Sequence, residues 1–582
     1  MVQPDNRLAR DRAALDAVAD RGPAAKAVTY LRLSGPGWLQ SAITLGGGSL
    51  AGGLYLGVLC GYSMMWLQPL AMMLGVAMLS AIAYVTLSTG RRPFRLVVEE
   101  VNPVLGWGWA IATIMANIVW CLPQFTLGAA ALRQNLLPGV LGDEATGTLG
   151  GNTGLVVAVA LLATCALATI ASYERGGRGM AIFESVLKLL VGVIVLCFVG
   201  VVWKLTGVAG GIDWSAVFSG LIPRLSSVTE PSPAFREPLA AAGDLGSRFW
   251  QGLIVGDQRD VMFTAAATAV GVNMTFLLPN SLLDRGWDRR FRGLSIVDLG
   301  VGLFIPFMIA TSCVVMSSAA RFHGQYNEAL VAAEPSIEAT REAAGAAPAK
   351  EYLGLLDKRL GAEYGEDASG WSDQERQAKR AALPAADRQL AAMLVRRDAS
   401  DLAAALEPLV GKSVSQLVFG CGVLAMALST IVVLMLINGY AVCEVLGQPH
   451  RGMVHFLGSL APLVFGVVVP FFWKDAMFWL AVPTSVFGIM LIPIAYFVFV
   501  FLINSRRVLG DAALTGGWRT AVNAVLIPGA AIAAGAAGWS IWTRTQPFPG
   551  TGIETRWIAI AASATFIALA LLVRRKALSR PT

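Results

Sequence analysis

Twelve apolar windows, each close to the length of about 20 residues that crosses a hydrocarbon core of about 30 Å, can be laid along this chain with little freedom. They fall at 37–60, 63–88, 105–132, 154–173, 180–203, 262–283, 296–320, 414–440, 453–472, 476–503, 520–542 and 556–574. In lipid every backbone polar group must be satisfied within the protein. An all-α polytopic membrane protein is therefore expected. Composition agrees: 55% of residues are hydrophobic and 14% are charged, against roughly 25% charged in a soluble domain.

Arginines set the orientation. Arg91, Arg92 and Arg95 follow the second window, Arg175 and Arg178 the fourth, Arg285, Arg289, Arg290 and Arg292 the sixth, and Arg506 and Arg507 the tenth. Short loops rich in Lys and Arg stay in the cytoplasm. The tail carries Arg574, Arg575, Lys576 and Arg580, so both termini are expected to be cytoplasmic in a cell membrane. The Ala-, Gly- and Arg-rich composition suggests a bacterial cytoplasmic membrane. The polar opening residues lack the apolar run and small-residue cleavage site of a secretory signal peptide. The net charge of +7 then reflects topology and does not indicate nucleic acid as a partner. The lipid bilayer is the expected partner, and the sequence carries no signature of oligomeric state.

Read this way, the chain divides into a cytoplasmic segment 1–34, spans one to five at 35–203, an external loop 204–261, spans six to ten at 262–503, and two last spans with a cytoplasmic tail at 504–582. An external insertion at 321–411 is Ala-, Glu- and Arg-rich, with apolar residues at three and four spacing. That periodicity predicts a small helical cap.

Several chemistries are excluded. The seven cysteines show no C-x-x-C pair, so neither a disulfide framework nor a zinc site is expected. His323, His450 and His455 lie at or beyond window ends, which predicts no buried imidazole cluster. No phosphate-binding loop, dinucleotide fingerprint or nucleophile elbow is present. No enzyme and no cofactor is expected.

Two windows carry interruptions at mid-depth. The first reads GPGWLQSAITLGGGSLAGGLYLG over residues 35–57, with three consecutive glycines. Non-helical backbone at that depth is tolerated only where it is buried in protein or lines a cavity. Glycines also permit close helix packing, and Gly48 and Gly52 have small-xxx-small spacing. The sixth, AVGVNMTFLLPNSLLDRG, places Asn273, Thr275, Pro279 and Asn280 in an apolar stretch, and Pro279 lacks a backbone donor. Interruptions in the first and sixth positions predict a five-plus-five inverted repeat with a substrate site between the breaks.

The order of these segments resembles the Nramp family of divalent metal transporters. The first span begins GPG, as the family's does. FIPFMIATSCVVMSSAARFHG is similar to its seventh span, FGCGVLAMALSTIVVLMLINGYAVCEVLG to its eighth, and YERGGRGMAIFESVLKLLVG to its junction of spans four and five. The resemblance runs from about residue 34 to 574, outside the two external segments. It implies a LeuT-like five-plus-five inverted repeat with two additional C-terminal spans. It further implies proton-linked import of manganese or ferrous iron through a DPGN motif in the first span and an MPH motif in the sixth.

Carried over by position, the DPGN residues are Gly46, Gly47, Gly48 and Ser49, and the MPH residues are Leu278, Pro279 and Asn280. Every side-chain ligand is replaced. No acidic residue occurs between Arg21 and Val98, and the third span lacks the acidic residues of the family's proton route. Transition metals are selected by carboxylate, imidazole or soft sulfur, so weak or absent manganese transport and uncoupled passage are expected. Met274 could supply sulfur, although a methionine on an apolar helix usually packs.

Three functions fit these residues, in this order. The first is passage of a divalent cation of the magnesium or manganese class. Gly46, Gly47, Gly48 and Ser49 would contribute backbone and hydroxyl groups. Thr44, Asn273, Thr275, Leu278 and Asn280 would form the wall, and a roomy neutral site would pass a hydrated ion. The second is transport of a small organic solute such as an amino acid, whose carboxylate would suit the amide donors of a broken helix. The third is a non-transporting receptor. Gln124 and Asn117 are expected to serve interhelical hydrogen bonds or the cavity. Glu184 and Lys188 form an i,i+4 pair, and Asp298 and Glu444 are expected to be solvated.

Overall fold

The computed structural model describes residues 5–18, 20–142, 147–175, 178–207, 211–397, 401, 407, 411–472, 480–548 and 551–578. Residues 476–479 of the expected tenth span, and Arg580, lie outside that set. Among the described residues eleven helices are long and apolar enough to cross a membrane, and twelve if the bent pair Pro36–Thr44 with Gly47–Cys60, kinked by 53°, is taken as one span. The perimeter is apolar: Leu196, Trp203 and Phe472 are exposed by 73%, 78% and 84%. Such patches on a soluble protein would be interaction sites; around a ring of helices they are the lipid-facing surface.

The first span halts at Leu45 and resumes at Gly47. Nothing in its leading half breaks a helix, and Leu45 N–H still closes onto Ser41 O at 2.8 Å. The chain then extends through Gly46, at φ −106° and ψ −176°, and the trailing half begins. The sixth span is broken too, between Gly243–Ala267 and Val272–Asp284. This break falls at the very start of the segment expected to hold it, ahead of Asn273, Thr275, Pro279 and Asn280. Pro279 sits inside a continuous helix, because a proline eight residues into a helix loses one bond that a neighbouring turn can replace in a packed bundle. The interruption falls instead at Thr268–Gly271. The leading half also starts at Gly243, inside the segment 204–261 expected to be a loop.

Gly48 and Gly52 do face the sixth span: a Cβ on either would meet Thr268 or Thr264 at 2.8 and 3.2 Å. The glycine run therefore serves packing as well as the break. The eighth span, Lys412–Leu446, packs against the third, fifth and ninth spans, and the trailing half of the first packs on the seventh and on the leading half of the sixth. The two breaks are thereby held side by side.

The arginine-bearing ends form one face, stitched by charge. Arg507 reaches Glu100 at 2.9 Å, Arg92 reaches Glu444 at 3.3 Å, and Arg12 of the N-terminal helix Asp5–Asp16 reaches Asp288 at 2.8 Å. Glu184 pairs with Arg285 at 2.7 Å rather than serving only its own helix. Asp298 and Glu444, expected to be solvated, are 1% and 3% exposed. Each is buried because it has partners: Asp298 caps the first span, and Glu444 holds Arg92 and His450. His450 and His455 are buried as well, on either side of Tyr440. The two imidazoles are thus buried near span ends, each against its own carboxylate, and among the described residues they form no group that could hold a metal.

The insertion is helical, with Glu328–Ala332, Ile337–Ala344, Ala346–Tyr364, Asp373–Ala382 and Ala385–Leu394. It docks on the leading half of the sixth span and on Tyr55 of the first, whose hydroxyl donates to Arg397 O at 2.8 Å.

Candidate functional site

Between the two breaks lies a cavity of about 40 Å³. From the first span it is lined by Ile43, Thr44, Gly46, Gly48 and Ser49, and from the sixth by Ala267, Thr268, Gly271, Asn273 and Met274. The third span contributes Trp120, Pro123 and Gln124, the eighth Thr430 and Leu434, and the tenth Thr484 and Ser485. Two helix halves end here on carbonyls and two begin here on amides, so the backbone presents partial charges of both signs.

Gln124 locks the first break. Its Oε1 accepts the Gly47 N–H at 2.9 Å and its Nε2 donates to Trp120 O at 3.2 Å. The Ser49 hydroxyl closes the other side by donating to Thr44 O. Thr44 donates to Gln40 O at 2.8 Å and also stands 3.2 Å from the Met274 sulfur, so the two acceptors share one hydroxyl proton. The Trp120 indole lies against Gly271, where a Cβ would come within 2.2 Å of the ring. Its N–H donates to Thr484 O at 3.0 Å, which fixes the ring across the sixth-span break.

Five residues expected at the site, Thr44, Gly46, Gly48, Ser49 and Asn273, line this cavity. The other four do not. Gly47 turns toward the third span, where a Cβ would meet Leu127 at 2.0 Å. Thr275 faces away, accepting Trp109 Nε1–H at 3.0 Å and donating to Val272 O. Leu278 and Asn280 lie on the continuous helix beyond the break, and Asn280 donates to Phe276 O at 3.0 Å. None of Leu278, Pro279 and Asn280, onto which MPH is carried, lines the cavity; the sixth-span residues that line it after the break are Asn273 and Met274. Asn117 bonds Asn438 at 3.4 Å and is absent from the lining.

Thr268, Trp120, Thr430, Thr484 and Ser485 were not singled out as site residues. A polar pair within an apolar window was the available signal, at Ser429-Thr430 and at Thr484-Ser485. All polar groups lining the cavity are neutral. Among the described residues no group of three His, Cys, Asp or Glu side chains could hold a metal ion.

A family model described as natural resistance-associated macrophage protein-like (Nramp) matches residues 37–355 and 385–543. The chain belongs to the Nramp family. Its fold is accordingly LeuT-like, with interrupted first and sixth spans. Variants of the Eremococcus coleocola manganese transporter superpose with a TM-score of 0.62 at 14% identity, covering 94% of this chain and 95% of theirs. The same transporter in complex with an aromatic bis-isothiourea substituted compound gives 0.60 at the same identity and coverage. No curated protein matches the sequence. At such identity the superposition speaks for the fold. At the first-span break of this Nramp protein, at the position onto which the aspartate of DPGN is carried, stands Gly46 and no carboxylate.

Proposed function

We propose that this Nramp-family protein transports a divalent cation, of the hard, oxygen-preferring magnesium class ahead of manganese, through the cavity between its broken spans. The observation that carries this reading is the donor set. Carbonyl ends of two helix halves converge on hydroxyl and amide oxygens, with no carboxylate or imidazole in the lining. Oxygen ligands suit magnesium and calcium, whereas selection of a transition metal calls for nitrogen or sulfur. The single sulfur in the lining, on Met274, stands 3.2 Å from the Thr44 hydroxyl, whose one proton is shared with Gln40 O.

The size of the cavity decides between alternatives. One water occupies about 10–15 Å³ of such space, so the 40 Å³ here admits an ion with part of its shell and not a hexahydrate. The roomy site expected for a fully hydrated ion is filled by Trp120 and by the hydroxyls of the eighth and tenth spans. An amino acid is disfavoured in this conformation, because small-molecule pockets run to about 300 Å³ or more. A purely non-transporting receptor leaves the polar groups at membrane depth without a use.

The arginine bias supports a cell-membrane orientation with the arginine-rich face and both termini in the cytoplasm. With no titrating side chain lining the cavity, transport runs down the ion's gradient without proton coupling. The test is influx of magnesium and of manganese into liposomes that hold the full-length protein and a trapped metal-responsive dye. Saturable magnesium influx, exceeding that of manganese and unaffected by an imposed proton gradient, is expected. Absence of flux of both ions from a folded, reconstituted protein overturns the reading.

A further inference from the structure

The glycine at the head of the first-span break is not explained by its backbone. Gly46 adopts φ −106° and ψ −176°, an extended conformation open to any residue. What excludes a side chain is Thr430 of the eighth span: a Cβ on Gly46 would stand 2.2 Å from its Oγ1 and 3.1 Å from its Cβ. That hydroxyl takes the space into which a side chain at position 46 would project.

The hydroxyl is also unusual for a threonine within a helix. Such a residue ordinarily bonds the carbonyl three or four positions back. Thr44, Thr268 and Thr484, which line the same cavity, all do so. Thr430 does not: its Oγ1 is buried and has no hydrogen-bond partner among the described residues, while neighbouring Ser429 takes Met426 O at 3.1 Å. Across the cavity, Ser485 Oγ and Asn273 Nδ2 are likewise buried without partners. Two unsatisfied hydroxyls, of the eighth and tenth spans, and one unsatisfied amide of the sixth therefore line the cavity, where the first-span hydroxyls of Thr44 and Ser49 already donate to backbone carbonyls of their own span. Native proteins leave few such groups without a bonding partner of some kind.

We propose that Thr430 supplies the cation-facing oxygen that the first span lacks, and that by occupying the space over Gly46 it keeps the site neutral and biased against transition metals. This rests on the cation-transport reading. The oxygen comes from the eighth span, and with Thr430 in its present rotamer a carboxylate at 46 and the hydroxyl at 430 contest the same space. A neutral oxygen leaves most of an ion's charge to its retained waters, which a strongly hydrated ion keeps and a ligand-seeking transition metal gains little from.

The experiment compares magnesium and manganese influx for the full-length protein and four variants in liposomes, each first checked for monodispersity and thermal melting. Thr430→Val keeps the shape and removes the oxygen; magnesium flux is expected to fall about tenfold or more, with Thr430→Ser recovering most of it. Gly46→Asp alone is expected to be inactive, because the carboxylate meets the hydroxyl. Gly46→Asp with Thr430→Gly, which removes both crowding atoms, is expected to regain flux and to shift the manganese-to-magnesium ratio upward by about tenfold. Wild-type flux with an equally active Thr430→Val overturns the inference and leaves the transport reading standing. So does a Gly46→Asp variant that is as active as the double variant. Absence of flux of both ions in the wild type removes the reading and the inference together.

Discussion

His450 Nε2 lies 2.7 Å from Glu444 Oε1 at the arginine-rich face. The other ring nitrogen stands 3.5 Å from Asp284, the last residue of the sixth span's trailing half, which starts at the cavity. Asp284 in turn accepts Tyr440 and Tyr173 hydroxyls at 3.1 and 3.3 Å. Arg92 reaches Glu444, His455 bonds Glu174, and the Arg451 guanidinium lies over the Tyr173 ring. The trailing half of the sixth span is thus tied to the fourth and eighth spans by two tyrosine hydroxyls, and to the end of the eighth by one imidazole in a loop.

That tether is sensitive to pH. Burial by itself pushes the His450 pKa down, but the nearby carboxylate of Asp284 and the hydrogen bond to Glu444 outweigh burial and the opposing Arg92, and hold it above its ordinary value. A histidine whose folded pKa is raised contributes stability that is fully present below its unfolded value of about 6.5 and is lost as pH rises through the folded value. Thermal melting of the wild type is therefore expected to fall as pH is raised from about 6.5, and His450→Gln to flatten that part of the profile. Parallel profiles for the two proteins would show that the imidazole is not charged in the fold.

Asp298 anchors the leading half of the first span. Its carboxylate accepts Gly35 N–H at 2.8 Å, Gly37 N–H at 2.6 Å and the Ser34 hydroxyl, which are orphan donors of a helix start. Asp298→Asn would set an amide donor against these donors and remove the charge that favours a helix N-terminus. A loss of about 1–3 kcal/mol is expected, read as a lower denaturation midpoint. Asp298→Asn melting like the wild type would mean that the first span is held from its other end.

Much of this architecture was legible in the sequence, because apolar windows and arginine placement follow from the bilayer alone. The first-span break was legible for a similar reason: three glycines in mid-membrane are rare without a local purpose. The sixth-span break was misplaced because Pro279 and Asn280 looked like the interruption, whereas packing let the helix run through them and broke it at Gly271, against the Trp120 ring. The walls from the eighth and tenth spans were hidden for another reason. A threonine or serine in a membrane helix usually serves its own backbone, and only the tertiary fold shows that Thr430 does not. The buried His450 and Asp298 were missed because chain position near a helix end does not report what folds over it.

The insertion is more than a solvated addition. Asp387, fully buried, accepts from the Trp250 indole of the sixth span and from Arg359 Nε at 3.1 Å. Removing one member of a buried ion pair leaves the other uncompensated and costs about 3–5 kcal/mol, whereas an apolar pair of similar volume is often tolerated. Asp387→Ala is expected to lower the melting temperature and to open residues 321–411 to limited proteolysis. Asp387→Leu with Arg359→Met is expected to recover most of the loss. Unchanged proteolysis in the single variant would mean that the apolar contacts alone seat the cap.

The contact between the first and seventh spans depends on the absence of a methyl group. A Cβ on Gly57 would meet Ser318 Oγ at 2.0 Å, Val315 O at 2.6 Å and Ala319 N at 2.8 Å. Two of these three atoms are backbone, so relief requires that the helices separate. Alanine gains up to about 1 kcal/mol over glycine from helix propensity, but forcing an extra carbon into a packed contact costs about 1–3 kcal/mol, and backbone opposition places Gly57→Ala at the upper end. Gly192 on the fifth span is a matched control, since its Cβ would meet nothing within 4 Å and only the propensity gain applies. The expected order of melting temperatures is Gly192→Ala at or above the wild type, with Gly57→Ala clearly below both. A Gly57→Ala protein as stable as the wild type would mean that the two spans sit farther apart than this geometry places them.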